Sequence, residues 1–197
     1  MESLSLRKVP PKMFAYREYL MNVSLSNNRL RACPPEIWAC VSLRTLNLSH
    51  NLLKDIPNET EGSLVTLKEY GLMELVAENC TELESLDLSH NLIETVPEEL
   101  GNCGSLKRLI LSHNRLKKIF EGCARLNNLI ELDISGNQIE KVPDKMFETL
   151  EELRVLNLND NSLKTLGGEF QTLTKLNELM ISGNYFEEIP WQIYKLN

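Results

Sequence analysis

Apolar residues recur along the chain in a fixed order within a nine-residue stretch. Leucine or a similar aliphatic residue takes the first, fourth and sixth places, and asparagine takes the ninth, as in LESLDLSHN at 83–91 and LRTLNLSHN at 43–51. Alternating polar and apolar residues over the third to sixth places predict a short β-strand with one buried face, because successive side chains of a strand point to opposite sides. Seven such stretches align, and they begin at Leu20, Leu43, Leu83, Leu106, Leu129, Leu153 and Leu176.

The copies follow one another at intervals of 23, 40, 23, 23, 24 and 23 residues. One short strand cannot bury its own apolar side, so copies of this length are expected to stack, with a parallel sheet and a shared core. The asparagine at the ninth place can offer its side-chain amide to the backbone where the chain leaves the strand. The predicted structural ladder consists of Asn28, Asn51, Asn91, Asn114, Asn137, Asn161 and Asn184.

After the asparagine, most copies read as an aliphatic residue, two variable residues and Ile-Pro or Val-Pro, as in LLKDIP, LIETVP and QIEKVP. This period and pattern resemble the intracellular, Ras-group leucine-rich repeat family. The resemblance implies an α/β solenoid with a parallel sheet on its concave face and irregular or short helical segments on its convex face. It also implies a non-enzymatic scaffold that binds a protein partner on the concave face, with a role in intracellular signalling as one expectation.

The resemblance leaves a second function open. The same repeats also occur as the substrate-recognition or regulatory part of a larger enzyme, such as a ubiquitin-ligase adaptor or a phosphatase-linked repeat protein. Within the chain itself, the phosphate-binding, nucleophile-elbow, zinc-protease and dinucleotide motifs do not occur, so we expect no catalytic residue and no cofactor.

We expect a single domain over 1–197. Its two ends, and the 40-residue interval between the copies at Leu43 and Leu83, depart from the regular pattern. Residues 1–19 supply only the second half of a copy, with apolar residues in its usual places. The C-terminal edge is expected to be uncapped and available for self-association, with Trp191 and Ile193 close to it. The long step contains an insert at about 58–80.

Within that insert, Leu64, Leu67 and Leu75 recur at helical spacing. The spacing predicts a helix over 63–79 on the convex side, either covering the core or docking a partner. The strands that begin at Leu43 and Leu83 are then expected to be neighbours. A degenerate strand at 64–70 is the alternative.

The longest run of regular copies extends from Leu83 to the copy at Leu176, and we expect the partner-binding surface there. Its outward strand positions mix charged, polar and apolar residues, as specific protein interfaces do. Arg108 and Ile110 are expected to be solvated, so that charge changes at either should weaken binding without unfolding the chain. The predicted partner-binding residues are Asp87, Arg108, Ile110, Glu131, Asp133, Asn157 and Met180.

Two residue types suggest chemistry but have a simpler interpretation. His50, His90 and His113 share the eighth place and should align about 5 Å apart, where they could bind zinc or sense pH. A turn function is favoured, because no thiol or carboxylate is placed to complete a metal site. All five cysteines fall at core places, so we expect buried thiols and no intrachain disulfide; they are Cys33, Cys40, Cys80, Cys103 and Cys123.

The overall charge narrows the class of partner. The formal net charge is −7, which argues against a nucleic-acid binder or a binder of anionic membranes. The first residues lack the apolar stretch of a secretory signal. We therefore expect an intracellular protein. The cytoplasm is the first expectation and the nucleus is the alternative.

Overall fold

The computed structural model describes residues 1–56, 80–143, 145–166, 170–191 and 193. Within these residues each of the seven copies contributes one strand of 3 residues, at the third to fifth places of the pattern. The strands are β1 (Asn22–Ser24), β2 (Thr45–Asn47), β3 (Ser85–Asp87), β4 (Arg108–Ile110), β5 (Glu131–Asp133), β6 (Val155–Asn157) and β7 (Glu178–Met180).

These strands form one parallel sheet in the order in which they occur along the chain, β1 to β7. The fourth place of every copy faces the fourth place of the next, so that Leu86 pairs with Leu46 on one side and Leu109 on the other. The predicted neighbourhood of β2 and β3 is therefore confirmed, despite the long step between them. The predicted helix at 63–79, and the alternative strand at 64–70, lie outside the described residues.

The core lies behind the sheet and runs through all the copies. Leu109 in β4 and Leu132 in β5 point inward, and their side chains are 0% and 1% exposed. Aliphatic residues from the loops behind them, such as Leu116 and Ile139, join the same continuous cluster. Burial of this shared apolar surface is the main stabilising term of a stacked fold, since each copy covers only its neighbours.

Short 3₁₀ helices form the convex side, in agreement with the predicted short helical segments. Ten residues separate Pro97 from β4, which leaves room for one or two turns of helix. The helices are η1 (Pro11–Tyr16), η2 (Pro35–Ala39), η3 (Cys80–Glu82), η4 (Glu98–Asn102), η5 (Glu121–Arg125), η6 (Met146–Glu148) and η7 (Phe170–Thr172). Two of them approach closely: a Cβ atom on Gly101 would lie 2.2 Å from the carbonyl oxygen of Gly122, so this contact requires glycine.

The asparagines at the ninth place connect each copy to the one before it. The Asn91 amide donates to the carbonyl oxygens of Leu88, in its own copy, and Leu48, in the preceding copy, at 3.0 and 3.1 Å. Its Oδ1 atom accepts from the backbone N–H of Leu53 at 3.0 Å. Since these bonds join the copies on either side of the insert, the ladder is continuous there. The asparagines with this bonding pattern are Asn28, Asn51, Asn91, Asn114, Asn137, Asn161 and Asn184.

The first residues of the chain complete the N-terminal half-copy. The Asn28 amide donates to the Met1 carbonyl oxygen at 2.8 Å, and the Asn28 Oδ1 atom accepts from Leu6 at 2.9 Å. Val9 is buried, and Leu6 and Met13 pack partly buried against the core, as the pattern predicts.

Candidate functional site

The outward side chains of β3 to β7 form the candidate binding surface, here called the concave face. The sheet register arranges them in two rows. One row contains Ser85, Arg108, Glu131, Val155 and Glu178. The other contains Asp87, Ile110, Asp133, Asn157 and Met180. All seven residues that the sequence pattern singled out therefore lie on one face.

Arg108 is the central cation of this surface. Its Nε atom donates to Glu131 Oε2 at 2.7 Å, and its side chain remains 51% exposed. The hydrogen bond to Glu131 raises the pKa of Arg108, and the negative charges of Glu131, Asp87 and Asp133 act in the same direction against partial burial. The guanidinium is thus held among three carboxylates, where it can still present N–H donors to a partner.

The two aspartates of the second row are fixed by their own turns. Asp87 Oδ1 accepts from the backbone N–H and the hydroxyl of Ser89, at 3.0 and 2.7 Å. Asp133 Oδ1 makes the same pair of bonds with Ser135, at 2.9 and 2.7 Å. Both aspartates use Oδ1 for all of these bonds, so Oδ2 can accept a hydrogen bond from a ligand.

Ile110 lies between the two aspartates, and here the structure corrects the sequence-based expectation. The Ile110 side chain is 6% exposed, so it is buried rather than solvated. Neighbouring strands lie about 4.8 Å apart, and a side chain in the middle of a row is flanked on both sides. Ile110 therefore packs within the concave face and offers a partner little apolar area. The partly exposed Val155 and Met180 supply the accessible apolar positions of the two rows.

The three histidines form a stack at the rim of the sheet. The ring centroids of His50 and His90 are 4.1 Å apart, and those of His90 and His113 are 4.3 Å apart. Partial burial lowers the pKa of His90, with further lowering by the two neighbouring histidines and an opposing effect of Asp87. Among the described residues, no group of His, Cys, Asp and Glu could hold a metal ion.

A turn conformation explains why these histidines align. Every residue at the eighth place has a positive φ, from 52° at His50 to 68° at Gly183. Histidine, asparagine, aspartate and glycine tolerate this region better than other residues. At Gly136, a Cβ atom would lie 2.6 Å from Nδ1 of His113, so glycine also leaves room for the last ring of the stack.

The cysteines with described side chains are all buried, as predicted for core places; they are Cys33, Cys40, Cys103 and Cys123. Burial raises the pKa of Cys40 to about 11 and that of Cys123 to about 12. Both therefore remain neutral thiols near pH 7, a state in which cysteine is a poor nucleophile and a poor metal ligand. Only the backbone of Cys80 is described, so its burial and the absence of intrachain disulfides stay predictions.

A second surface, which the repeat pattern does not single out, lies beside the first copies. This N-terminal groove is lined mainly by residues 7–11, 28–36 and 50–52, together with His90, and its volume is about 1130 Å³. The groove was missed because its residues come from loop places in different copies. The signal that could have found it is the excess of basic residues near the start of the chain.

The C-terminal edge exposes a further group of large apolar residues, of which Trp191 was anticipated. Tyr185, Ile189 and Trp191 are 66%, 65% and 54% exposed, while Ile193 packs partly buried against the core. No helix among the described residues is long and apolar enough to cross a membrane.

Comparison with known families identifies the fold. The family model described as "Leucine rich repeat" matches residues 2–69, 75–116 and 127–186, and a model of two such repeats matches 104–145. The chain belongs to the leucine-rich repeat family. The more specific resemblance to the intracellular Ras group is not established by these matches. No curated protein matches the chain significantly.

Solved leucine-rich repeat structures superpose well on the chain. A leucine-rich repeat protein of Leptospira interrogans is 26% identical with a TM-score of 0.76, and the match covers 100% of this chain and 51% of that protein. An internalin of Listeria monocytogenes is 24% identical with a TM-score of 0.72, with coverages of 97% and 50%.

A third solved structure contains a protein ligand. It is the ectodomain of the Arabidopsis thaliana receptor kinase GASSHO1/SCHENGEN3 in complex with CASPARIAN STRIP INTEGRITY FACTOR 2. The two chains are 26% identical with a TM-score of 0.76, and the match covers 96% of this chain and 22% of that ectodomain. The chain thus spans about half, or less, of the length of these solved relatives.

Proposed function

We propose that this leucine-rich repeat protein is a non-enzymatic scaffold that binds a protein partner on its concave face, between β3 and β7. The observation that carries the proposal is the cluster of ordered charges around Arg108, Asp87 and Asp133 in the middle of the face. A surface with both signs of charge and adjacent apolar positions suits a protein better than a polyanion.

These side chains are already held in place by hydrogen bonds, which favours binding. The Arg108 guanidinium is held by Glu131, and each aspartate is held by a serine two residues later. Side chains that are already fixed lose less conformational entropy when a partner docks, so more of the interaction energy appears as affinity. The family context supports the same reading, because repeat domains of this kind generally serve as interaction modules.

A charge-reversal experiment tests the proposal. Arg108→Glu places a fourth carboxylate beside Glu131, Asp87 and Asp133, and it should reduce the recovery of partners in an affinity pull-down at least about tenfold. Lys107→Glu is the matched control, because Lys107 is also 51% exposed and also forms an ion pair, with Glu84. Lys107 precedes β4 and lies outside both concave rows, so its reversal should leave recovery unchanged.

Equal recovery with wild-type protein and Arg108→Glu, in samples with the same circular dichroism spectrum, would exclude the centre of the concave face. The C-terminal edge with Tyr185, Ile189 and Trp191 would then be the better candidate for binding. In that case self-association through this edge becomes the leading proposal, and light scattering over a dilution series would measure it.

A second candidate is that the chain is the substrate-recognition or regulatory part of a larger enzyme, with a ligase adaptor or a phosphatase-linked protein as examples. The support is that one similar solved structure is the ectodomain of a receptor kinase, of which this chain matches 22%. Sequencing the full transcript separates this candidate from a repeat protein without a catalytic region.

We also propose an intracellular location, in the cytoplasm in the first place, and a role in signalling. The support is that the four cysteines with described side chains are thiols rather than disulfides, as is usual in a reducing compartment. Microscopy of a fluorescent fusion to the C-terminus tests the location, and a vesicular or extracellular signal would reject it.

A further inference from the structure

The N-terminal groove contains a group of basic side chains that form no ion pair with an acidic residue in the described part of the chain. Arg7, Lys8, Arg29 and Arg31 line it, all of them exposed, and none forms an ion pair with another described residue. Among the lining residues that the structure describes, Glu36 is the one with a carboxylate. The groove therefore presents several unneutralised positive charges, which an anionic ligand could pair with at short range.

The excess of positive charge is confined to the N-terminal part of the chain. Residues 1–56 contain 8 Lys and Arg against 4 Asp and Glu, whereas residues 57–197 contain 13 against 24. A long polyanion that extended beyond the groove would meet the acidic remainder of the molecule. A ligand with a short acidic segment would meet only the basic end.

Part of the groove lining is apolar and contains three prolines. Pro11, Pro34 and Pro35 lie in the lining together with Leu52, which is 39% exposed. Prolines cannot donate a backbone hydrogen bond, so this part of the groove offers ring surface rather than polar groups. Apolar side chains of a ligand could pack there while its carboxylates pair with the arginines elsewhere in the lining.

The dimensions suit a peptide. The lining residues come from four neighbouring copies, and strands about 5 Å apart give a length of about 15 Å, which corresponds to about five residues of extended chain. The volume of about 1130 Å³ exceeds that of most small-molecule sites.

We propose that the N-terminal groove binds a short, extended acidic peptide segment of a partner protein. Aspartate and glutamate side chains pair with the four basic residues, and intervening apolar side chains pack on the three prolines of the lining. The groove is separate from the concave face, so this proposal does not depend on whether the concave face binds a partner.

The test uses fluorescence anisotropy with the full chain and a labelled peptide of about ten residues, in which Asp and Glu alternate with Leu and Pro. Arg29→Glu with Arg31→Glu should weaken binding at least about tenfold. The matched control is Arg115→Glu with Lys117→Glu, because these exposed residues take the same two places in the copy that begins at Leu106, outside the groove. The control should change the dissociation constant by less than about twofold.

Any one of four results would overturn the proposal. The first is equal weakening by both double variants, which would show a general effect of net charge. The second is unchanged binding by the groove variant with a native circular dichroism spectrum. The third is tighter binding of an oligothymidylate or of phosphatidylserine vesicles than of the acidic peptide, which would assign the groove to a nucleic acid or a membrane surface. A peptide with Asn and Gln in place of the acids should bind at least about tenfold more weakly, and equal binding would also reject the charge pairing.

Discussion

The basic residues of the concave face and those of the N-terminal groove differ in where their charges are neutralised. Arg108 is paired with Glu131 within the fold, at 2.7 Å. Arg29 and Arg31 in the groove have no ion-pair partner among the described residues. Both regions rest on the same strand, turn and asparagine ladder, so the difference arises only at variable places of the pattern.

The comparison shows how one backbone can provide two kinds of binding surface. On the concave face, pairing orders the charged side chains before a partner arrives. In the groove, the charges are left for the partner to neutralise. An exposed ion pair contributes only about 0–1 kcal/mol to stability, so either arrangement is compatible with the same fold.

The largest expected effect tests whether the two regions share one core. Leu109→Ala beneath the concave face and Leu46→Ala beneath the first copies should each cost about 2–5 kcal/mol, since both leave a cavity. Both side chains are 0% exposed. Urea unfolding followed by circular dichroism measures the two losses. A full loss at one position and none at the other would break the assumption of a common core.

Ile110→Asp should have the next largest effect, which contrasts with the expectation from sequence that Ile110 is solvated. The change places a carboxylate at a position that is 6% exposed, so it should cost about 2–4 kcal/mol. Asn157→Asp is the control, because Asn157 takes the same strand place but is partly exposed. It should change stability by less than about 0.5 kcal/mol. If the two variants melt at the same temperature, the packing of Ile110 described above is incorrect.

Asn114→Ala should cost about 1–3 kcal/mol, because it leaves buried backbone groups of two copies without their hydrogen bonds. The Asn114 amide donates to Leu88 and Leu111, and its Oδ1 atom accepts from Ile93. Asn184→Ala should cost less, since the bonds of Asn184 are only partly buried. If Asn114→Ala leaves the free energy of unfolding unchanged in denaturant titrations, the asparagine ladder does not stabilise the fold as described.

Two rings of the histidine stack, those of His50 and His90, line the groove, and the stack predicts a pH dependence of stability. The folded pKa of His90 lies below its ordinary value of 6.5, so the unfolded chain takes up the proton first as the pH falls. Stability should therefore be lost as the pH falls through 6.5 towards the lower folded pKa. Melting temperatures measured between about pH 8 and pH 5 should decrease less in His90→Asn, which keeps a residue suited to positive φ. Identical pH profiles would show that His90 does not contribute.

The smallest expected effect separates paired from unpaired cations directly. Arg108→Gln removes the hydrogen bond and charge pair to Glu131, and it should cost about 0–1 kcal/mol. Arg29→Gln should cost less than that, because Arg29 has no ion pair with a described residue. Thermal unfolding at low ionic strength is the measurement. A larger loss for Arg29→Gln than for Arg108→Gln would reverse the comparison.

The regular parts of this molecule could be predicted because each depends on residues that are close together in one copy. The strand places around Leu86 and Leu109, and the inward direction of their side chains, follow from the alternation of apolar residues. The ladder asparagines could be found because the backbone groups that they satisfy recur in every copy. The neighbourhood of β2 and β3 followed from the need of each copy to cover the next.

The sequence by itself therefore determined the fold, the register and the burial of Cys33, Cys40, Cys103 and Cys123, because burial and backbone hydrogen bonding repeat with the same period as the residues. Only the tertiary structure decided that Ile110 is buried between neighbours and that Arg108 pairs with Glu131. It also decided that basic residues of the N-terminal half-copy and of the copy that begins at Leu20 meet in one groove. These features depend on side-chain directions and on distances between different copies. A linear pattern carries the order of such residues but not their exposure or their separation in space.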